Sequence, residues 1–299
     1  MACYHPIPAY LHGPCGTVDL WPPLGHANLN LPCGSCLGCL TDRATDWARR
    51  AEHEAKQWPH NCFVTLTYND EHKPSNGELR PNDLTLFLKR LRARHSRVHA
   101  PPGKRLHKKY RGMARHILCS PGGLRYLASG EYGDTYGRPH FHLCLFNCDF
   151  ADKYQTAKNL CESPFLAKLW PYGTHKIGTL TGASAAYVAQ YTIKKQGTTY
   201  HTPDGEILRP PFLRMSLKPA LGTKYITKYK NDLQSGYLVT DGKKGRIPRA
   251  YKKLLLKIDP ALAEQIQYMA GKHQRPQDDL VAAETIHKRK AELAALAKG

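Results

Sequence analysis

Apolar and polar residues alternate over Cys62-Phe-Val-Thr-Leu-Thr-Tyr68, and the run is rich in β-branched and aromatic residues, which predicts a strand. Leu124 to Tyr132 reads as a second strand. Gly133 to Arg138, with two glycines and an Asp, is its connection to a third strand that runs through Phe146. Helical spacing takes over elsewhere. Trp47, Ala51 and Ala55 fall on one face of a helix from Thr41 to Gln57, capped by Thr41 or Asp42. Leu84, Phe87, Leu88 and Leu91 form the core stripe of a helix from Pro81 to about His95. A short helix is expected over Glu162–Trp170, a short strand over His175–Leu180 and a helix over Pro219–Gln234. After Pro260, two helical runs are separated by Gly271 and Pro276; the second, Asp278 to Lys298, is weakly amphipathic and expected to hang free or bind a partner.

These elements predict an α/β (α+β) fold. It has a central antiparallel sheet of about five strands, helices mainly on one face and the chemistry on the other. Three segments are expected: a Cys-rich N-terminal segment and helix (1–58), the central domain (59–235) and a basic loop with a helical tail (236–299).

The chemistry enters at Arg138-Pro-His-Phe-His-Leu-Cys-Leu-Phe146. Side chains alternate along a strand, so His140 and His142 share one face while Phe141, Leu143 and Leu145 share the core face. If Tyr132 pairs with Pro139, Glu131 lies opposite His140 and joins the histidines. A slip of one residue would send Glu131 to the other side. Imidazole plus carboxylate ligation suits magnesium or manganese as well as zinc. The plain alternative is a pair of half-exposed strand histidines.

Charge narrows the partner. The 299 residues include 44 Lys and Arg against 24 Asp and Glu, a net charge of +20. From Leu84 to Gly130 no acidic residue balances twelve basic ones, which favours phosphate contacts over a merely solvated face. Lys89, Arg90, Arg92, Arg94, Lys108, Lys109 and Arg111 from this span, with Arg138 and Lys195, are the candidate DNA-binding residues. No stretch approaches the length of a membrane span, and the N-terminus lacks the features of a signal peptide. The ten cysteines are therefore expected to be cytosolic thiols or metal ligands. Cys33-Gly-Ser-Cys36-Leu-Gly-Cys39 sets three thiolates at metal-ligand spacing, and Cys3, His5 or Cys15 can supply the fourth ligand of a structural zinc; Cys3 is taken here. A reduced thiol cluster on a turn is the alternative.

Thr181 or Ser184 can cap a further helix that ends before Gly197. Tyr187, Tyr191 and Lys194 lie on one stripe of it, opposite Ala185, Ala186, Ala189 and Ile193. The small residues allow close packing against a sheet, with both tyrosines presented on the other side.

Together these motifs resemble the HUH endonuclease superfamily, and within it the replication initiators of gokushoviruses, small single-stranded DNA phages of the microvirus group. The matching stretches are Pro32–Cys39, Cys62–Tyr68, Phe87-Leu-Lys-Arg-Leu-Arg92, Gly130-Glu-Tyr-Gly133, Arg138-Pro-His-Phe-His142, Ala186-Tyr-Val-Ala-Gln-Tyr191 with Lys194-Lys195, and Met215-Ser. One departure is Gln190, where the family pattern implies a cation. The resemblance implies an endonuclease that nicks and rejoins single-stranded phage DNA through a 5′-phosphotyrosine and starts rolling-circle replication. It implies a magnesium or manganese ion on His140, His142 and Glu131, with Tyr191 and Tyr187 as nucleophiles and Lys194 steadying the phenolate or phosphate charge. Tyr191, nearer to Lys194, is the expected first nucleophile. Origin DNA and the host helicase and polymerase are the implied partners, and the host cytoplasm the implied location.

Three other functions use parts of the same sequence. A non-enzymatic basic protein that binds single-stranded DNA explains the charge but not the His-Phe-His stretch. A zinc-ribbon module explains the cysteines alone. A His-x-His nucleotide hydrolase leaves the tyrosine pair without a purpose.

Overall fold

The chain opens on a small three-stranded sheet of β1 (Ile7–Leu11), β2 (Val18–Leu20) and β3 (Leu29–Leu31), with β1 in the middle. The computed structural model describes residues 3–12, 17–23, 25–99, 116–133, 137–194, 199–202, 204–240, 242–271 and 277–296. Helix α1 (Leu37–Ala55) begins four residues before Thr41, because the cap is Cys36: its backbone is extended and its Sγ accepts the N–H of Cys39. Strand β4 (Asn61–Tyr68) and helix α2 (Pro81–Val98) follow, the latter with proline in its first turn. After β5 (Ile117–Leu118) comes the hairpin of β6 (Arg125–Tyr132) and β7 (Pro139–Phe146); β8 (Asp149–Phe150) then pairs with β5.

Next are β9 (Tyr154–Ala157), β10 (Leu160–Glu162) and α3 (Pro164–Leu169), where Ser163 Oγ accepts the Leu166 N–H as cap. Strand β11 (Gly173–Gly178) leads into α4 (Gly182–Lys194). Thr181 and Ser184 exchange side chain–backbone bonds at its start, so both expected caps act together. A hairpin of β12 (Tyr200–His201) and β13 (Ile207–Leu208) precedes β14 (Phe212–Met215). The rest holds α5 (Thr223–Lys228), a 3₁₀ turn, the β15 (Leu238–Thr240) and β16 (Lys243–Gly245) pair, α6 (Arg249–Ile258), α7 (Pro260–Gly271) and α8 (Gln277–Leu296).

The central sheet runs β14-β6-β7-β4-β11-β10-β9, antiparallel at every step. It has seven strands rather than about five. The additions are the short edge strands β9, β10 and β14, too brief for a period-two pattern to show. Gly130 makes room for β14: a Cβ there would meet the Phe212 ring at 2.6 Å.

Helices cover both faces, not mainly one. On the first, Val64, Leu66, Phe141, Leu143 and Leu145 pack against α2 and the Trp170 ring after α3. On the second, the histidine face, Leu127, Cys144 and Phe146 pack against Ala51 of α1 and Ala185 and Val188 of α4. Alanines on α1 and α4 let the helices close on each other and on the sheet. The histidine face is thus core at the Phe146 end and a site at the His140 end.

The expected helix over 219–234 is broken. Gly222 caps α5 at φ 78°, and a Cβ there would collide with the Tyr251 hydroxyl. Tyr251 belongs to α6, unanticipated beside a basic loop. With α5 and α7 it builds a second core around Ile226, Leu233, Leu255 and Ile266. Helix α8 does not hang free: Leu280 is buried, and Tyr4 Oη lies 2.7 Å from His287 Nδ1.

Candidate metal and tyrosine site

The β6–β7 register is the one the hairpin predicts: Tyr132 pairs with Pro139 and Glu131 with His140. Ser129 pairs with His142, and on the other side Thr65 of β4 pairs with His142. Adjacent strands therefore carry Ser129, Glu131, His140, His142 and Thr65 on one face. One ligand atom from each of Glu131, His140 and His142 falls within 4.8 Å of the others. Glu131 Oε1 is 3.0 Å from His140 Nε2 and 2.7 Å from His142 Nε2.

Second contacts orient both rings. His140 Nδ1 donates to the Arg138 carbonyl at 3.0 Å, so in the neutral ring the Nε2 lone pair faces Glu131. His142 Nδ1 is 2.9 Å from Thr65 Oγ1, which can accept its proton in the same way. Lone pairs of nitrogen and carboxylate oxygen repel unless a cation joins them. Burial by itself pushes the Glu131 carboxyl up, but its bonds to His140 and His142 outweigh this and hold it below its ordinary value. Burial pushes His142 down, which Glu131 only partly offsets. The site favours an ionised carboxylate and a neutral His142, the states that ligate a metal. Glu131 is fully buried, and its Oε2 has no hydrogen-bond partner among the described residues. An orphaned buried carboxylate oxygen is costly unless something cationic takes it, so the three residues fit a divalent ion.

Tyr187 of α4 stands at this site. Its ring meets that of His142 edge-on, with centroids 5.0 Å apart, and that of Phe63 at 6.4 Å. The residue is 39% exposed, while its neighbours Val188 and Ala189 are buried. Tyr191 and Lys194 follow on α4 at one and two turns, and their side chains lie outside the described residues, as does all of Lys195.

The family model for replication-associated proteins of the ORF2 type matches residues 61–196, from β4 to just past α4, which contain the triad and both tyrosines. The chain is 35% identical to the replication-associated protein VP4 of Bdellovibrio phage phiMH2K over 78% of this chain and 70% of that protein. It is 38% identical to the replication-associated protein ORF2 of Spiroplasma virus 4, over 68% of this chain and 59% of the relative. Identity to the replication-associated protein ORF4 of Chlamydia phage 1 is 29%, over 76% and 54%. The chain belongs to this replication-associated protein family of gokushovirus-type phages. No solved structure matches it.

The basic residues of this family member are divided between surfaces. Helix α2 covers the sheet face opposite the triad, so Lys89, Arg92 and Arg94 lie across the sheet from Glu131. Arg90 donates to the Leu169 carbonyl at 2.7 Å and the Tyr172 hydroxyl at 3.0 Å, a structural engagement that spacing alone does not reveal. Arg138, at the mouth of the hairpin, donates to the Tyr68 carbonyl and to Asp70. Lys108, Lys109 and Arg111 lie outside the described residues, as does Cys15. Thr65 and Ser129 are site residues the sequence reading passed over. Their signal was their positions opposite His142, legible only once the neighbouring strands are paired.

The cysteines gather at the start of α1. Sulfurs of Cys3, Cys33, Cys36 and Cys39 lie within 4.8 Å of one another, so Cys3, not His5 or Cys15, joins the three spaced thiols. Burial pushes the Cys33 thiol up, but the N–H groups of Cys36 and Ser35 outweigh it and bring it down to about 6. Burial raises Cys3 and Cys39. Among the described residues no helix is long and apolar enough to cross a membrane.

Proposed function

We propose that this replication-associated protein is a metal-dependent endonuclease of the HUH type. It nicks and rejoins single-stranded phage DNA through a 5′-phosphotyrosine and so starts rolling-circle replication in the host cytoplasm, where a host helicase and polymerase act on the product. The observation that carries this reading is the Tyr187 ring set against His142, beside a buried carboxylate with an unsatisfied oxygen.

Glu131, His140 and His142 would hold one magnesium or manganese ion, which polarises a phosphodiester and spreads its charge when bound. Thr65 and the Arg138 carbonyl keep the two imidazoles turned toward that position. Tyr187 Oη attacks phosphorus, the bond to the 3′ oxygen breaks, and that oxygen leaves as a 3′-hydroxyl after taking up a proton. The 5′ side stays on the tyrosine as a phosphodiester. Attack by a 3′-hydroxyl reverses the step, releases the phenol and reseals the strand, so no external energy is needed. Tyr191, one turn along α4, is the second nucleophile, and Lys194 the nearby cation for phenolate or phosphate charge. The position of Tyr187 moves the expected first cut from Tyr191 to Tyr187.

The test incubates the protein with single-stranded phage origin DNA and manganese and looks for a covalent adduct on a denaturing gel. An adduct that vanishes with chelator is expected. Tight DNA binding without any adduct would replace the nicking enzyme with a non-enzymatic single-stranded DNA-binding protein.

A further inference from the structure

The four cysteines lie outside the triad and its chemistry, at the opposite end of α1 from the residues packed under the sheet. Two separations decide between their possible states. Cys33 Sγ is 4.0 Å from Cys39 Sγ, and Cys36 Sγ is 4.0 Å from Cys3 Sγ. A disulfide needs about 2.05 Å. A tetrahedral zinc ion with Zn–S bonds of about 2.3 Å sets its sulfurs about 3.8 Å apart. All four sulfurs lie within 4.8 Å of one another, so they surround one point. A cluster of two irons bridged by sulfide would hold them as two separated pairs.

The backbone is arranged for thiolates. The Cys33 N–H points at Cys3 Sγ (3.2 Å), that of Cys36 at Cys33 Sγ (3.4 Å), and those of Cys39 and Tyr4 at Cys36 Sγ (3.4 Å each). Sulfur accepts such bonds well only as a thiolate. The first turn of α1 adds the positive end of its dipole.

This corner of the molecule has little else to hold it. Among the described residues before Cys33, only Cys3, Tyr4 and Ala9 are buried. The C-terminal helix α8 rests on the same segment. His287 meets Tyr4, Glu284 pairs with His5 at 3.0 Å, and Leu280 is the one buried residue among those described in α8. A chain end with almost no apolar core needs another source of folding free energy, and a thiolate-held metal is one.

We infer that Cys3, Cys33, Cys36 and Cys39 hold one structural zinc ion, and that this ion docks both ends of the chain, residues 3–36 and α8, onto α1. The site is independent of the proposed nicking chemistry. Metal removal should therefore loosen the two ends together and leave the β6–β7 hairpin in place.

The test is elemental analysis of the full-length protein, purified with a reductant, combined with hydrogen exchange. One zinc per chain is expected. It should survive in a His140→Ala/His142→Ala variant and be lost in a Cys33→Ser/Cys36→Ser variant. In the cysteine variant, residues 3–36 and 277–296 should exchange like unprotected chain, with 125–146 still protected. If that variant does not fold, the wild-type protein is titrated with a thiol-specific mercurial, and one zinc should be released as the four thiols react. Four results would each overturn the inference: no zinc in the wild-type protein, zinc retained after the thiols are removed or blocked, iron in its place, or a disulfide among the four. Exchange that rises at one end only would overturn the docking of both ends.

Discussion

The Tyr187 and His142 rings meet edge-on, with centroids 5.0 Å apart and planes at 85°. One residue comes from a helix and the other from the sheet beneath it, so their contact places a hydroxyl-bearing ring over a metal-ligand geometry. It also distinguishes Tyr187 from Tyr191, which helical periodicity treats alike. Tyr187→Phe keeps the ring contact and removes only the hydroxyl. It should cut first-strand cleavage by on the order of a thousandfold or more, the scale of losing a nucleophile. Tyr191→Phe should still form the adduct but fail to release closed circles. Mass spectrometry of the adducted peptide checks the assignment: a nucleotide found only on Tyr191 reverses the order, and one on neither tyrosine ends it.

The histidines depend on what stands behind them. Thr65→Val removes the 2.9 Å partner of His142 Nδ1 at nearly constant volume. Manganese affinity, followed by calorimetry, should fall by about 10–100-fold, as for other residues that orient metal ligands. The His140→Ala/His142→Ala double variant should lose manganese binding at this site and all nicking while keeping its circular dichroism spectrum. Nicking at the wild-type rate by the folded double variant would remove the metal from the mechanism.

Basic residues on two faces imply several phosphate contacts. The logarithm of single-stranded DNA affinity should fall linearly with the logarithm of salt concentration, by about 0.7 per contact. Substituting Lys89 and Arg92 together should lower the slope if α2 touches DNA. A slope unchanged in that variant confines the DNA to the triad face.

Glu54 of α1 is the hub of a buried ionic joint. It accepts from Arg125 Nε at 2.7 Å, from Trp58 Nε1 at 3.1 Å and from the Gly222 N–H at 2.8 Å, while Arg125 also reaches the Pro219 carbonyl. Glu54→Gln keeps the shape and leaves the buried guanidinium without its countercharge. Such breaks cost about 3–5 kcal/mol. Urea unfolding should register a loss of that size; a change below about 1 kcal/mol would mean that the Arg125 charge is solvated some other way.

His53 gives the fold an acid limit. Its ring is buried, stacked on Tyr225 with centroids 4.0 Å apart, and Nδ1 lies 3.0 Å from the Tyr251 hydroxyl. Burial, with help from Lys56 and Arg49, lowers its pKa to about 4 from an ordinary 6.5. The depressed value means that the unfolded chain takes up a proton which the folded chain refuses. Stability from this group is therefore full above about pH 6.5 and falls steadily down to about pH 4, by at most about 3 kcal/mol. His53→Gln should be less stable at pH 7 yet show a shallower decline between those limits. Parallel pH profiles for the two proteins would assign the acid sensitivity elsewhere.

The period of two in Cys62–Tyr68 and in the His-Phe-His stretch was enough, by itself, to determine that His140 and His142 share a face. The short turn before Pro139 then set Glu131 opposite His140, because strand pairing leaves a hairpin few registers. Helical spacing likewise determined the stripes of α2 and α4. Tertiary structure decided the rest, since the deciding contacts join residues far apart in sequence and leave no local period. Strands β9, β10 and β14 exist because a neighbouring edge accepts them. Alanine contacts between α1 and α4 turned half of the histidine face into core, which the pattern along β7 alone could not distinguish from open surface. Cys3 reached Cys36 across 33 positions, and α1 began at that cysteine because its sulfur could take the cap. The choice of Tyr187 as the ring over His142 was made by the angle at which a whole helix crosses a sheet, and packing on both sides sets that angle.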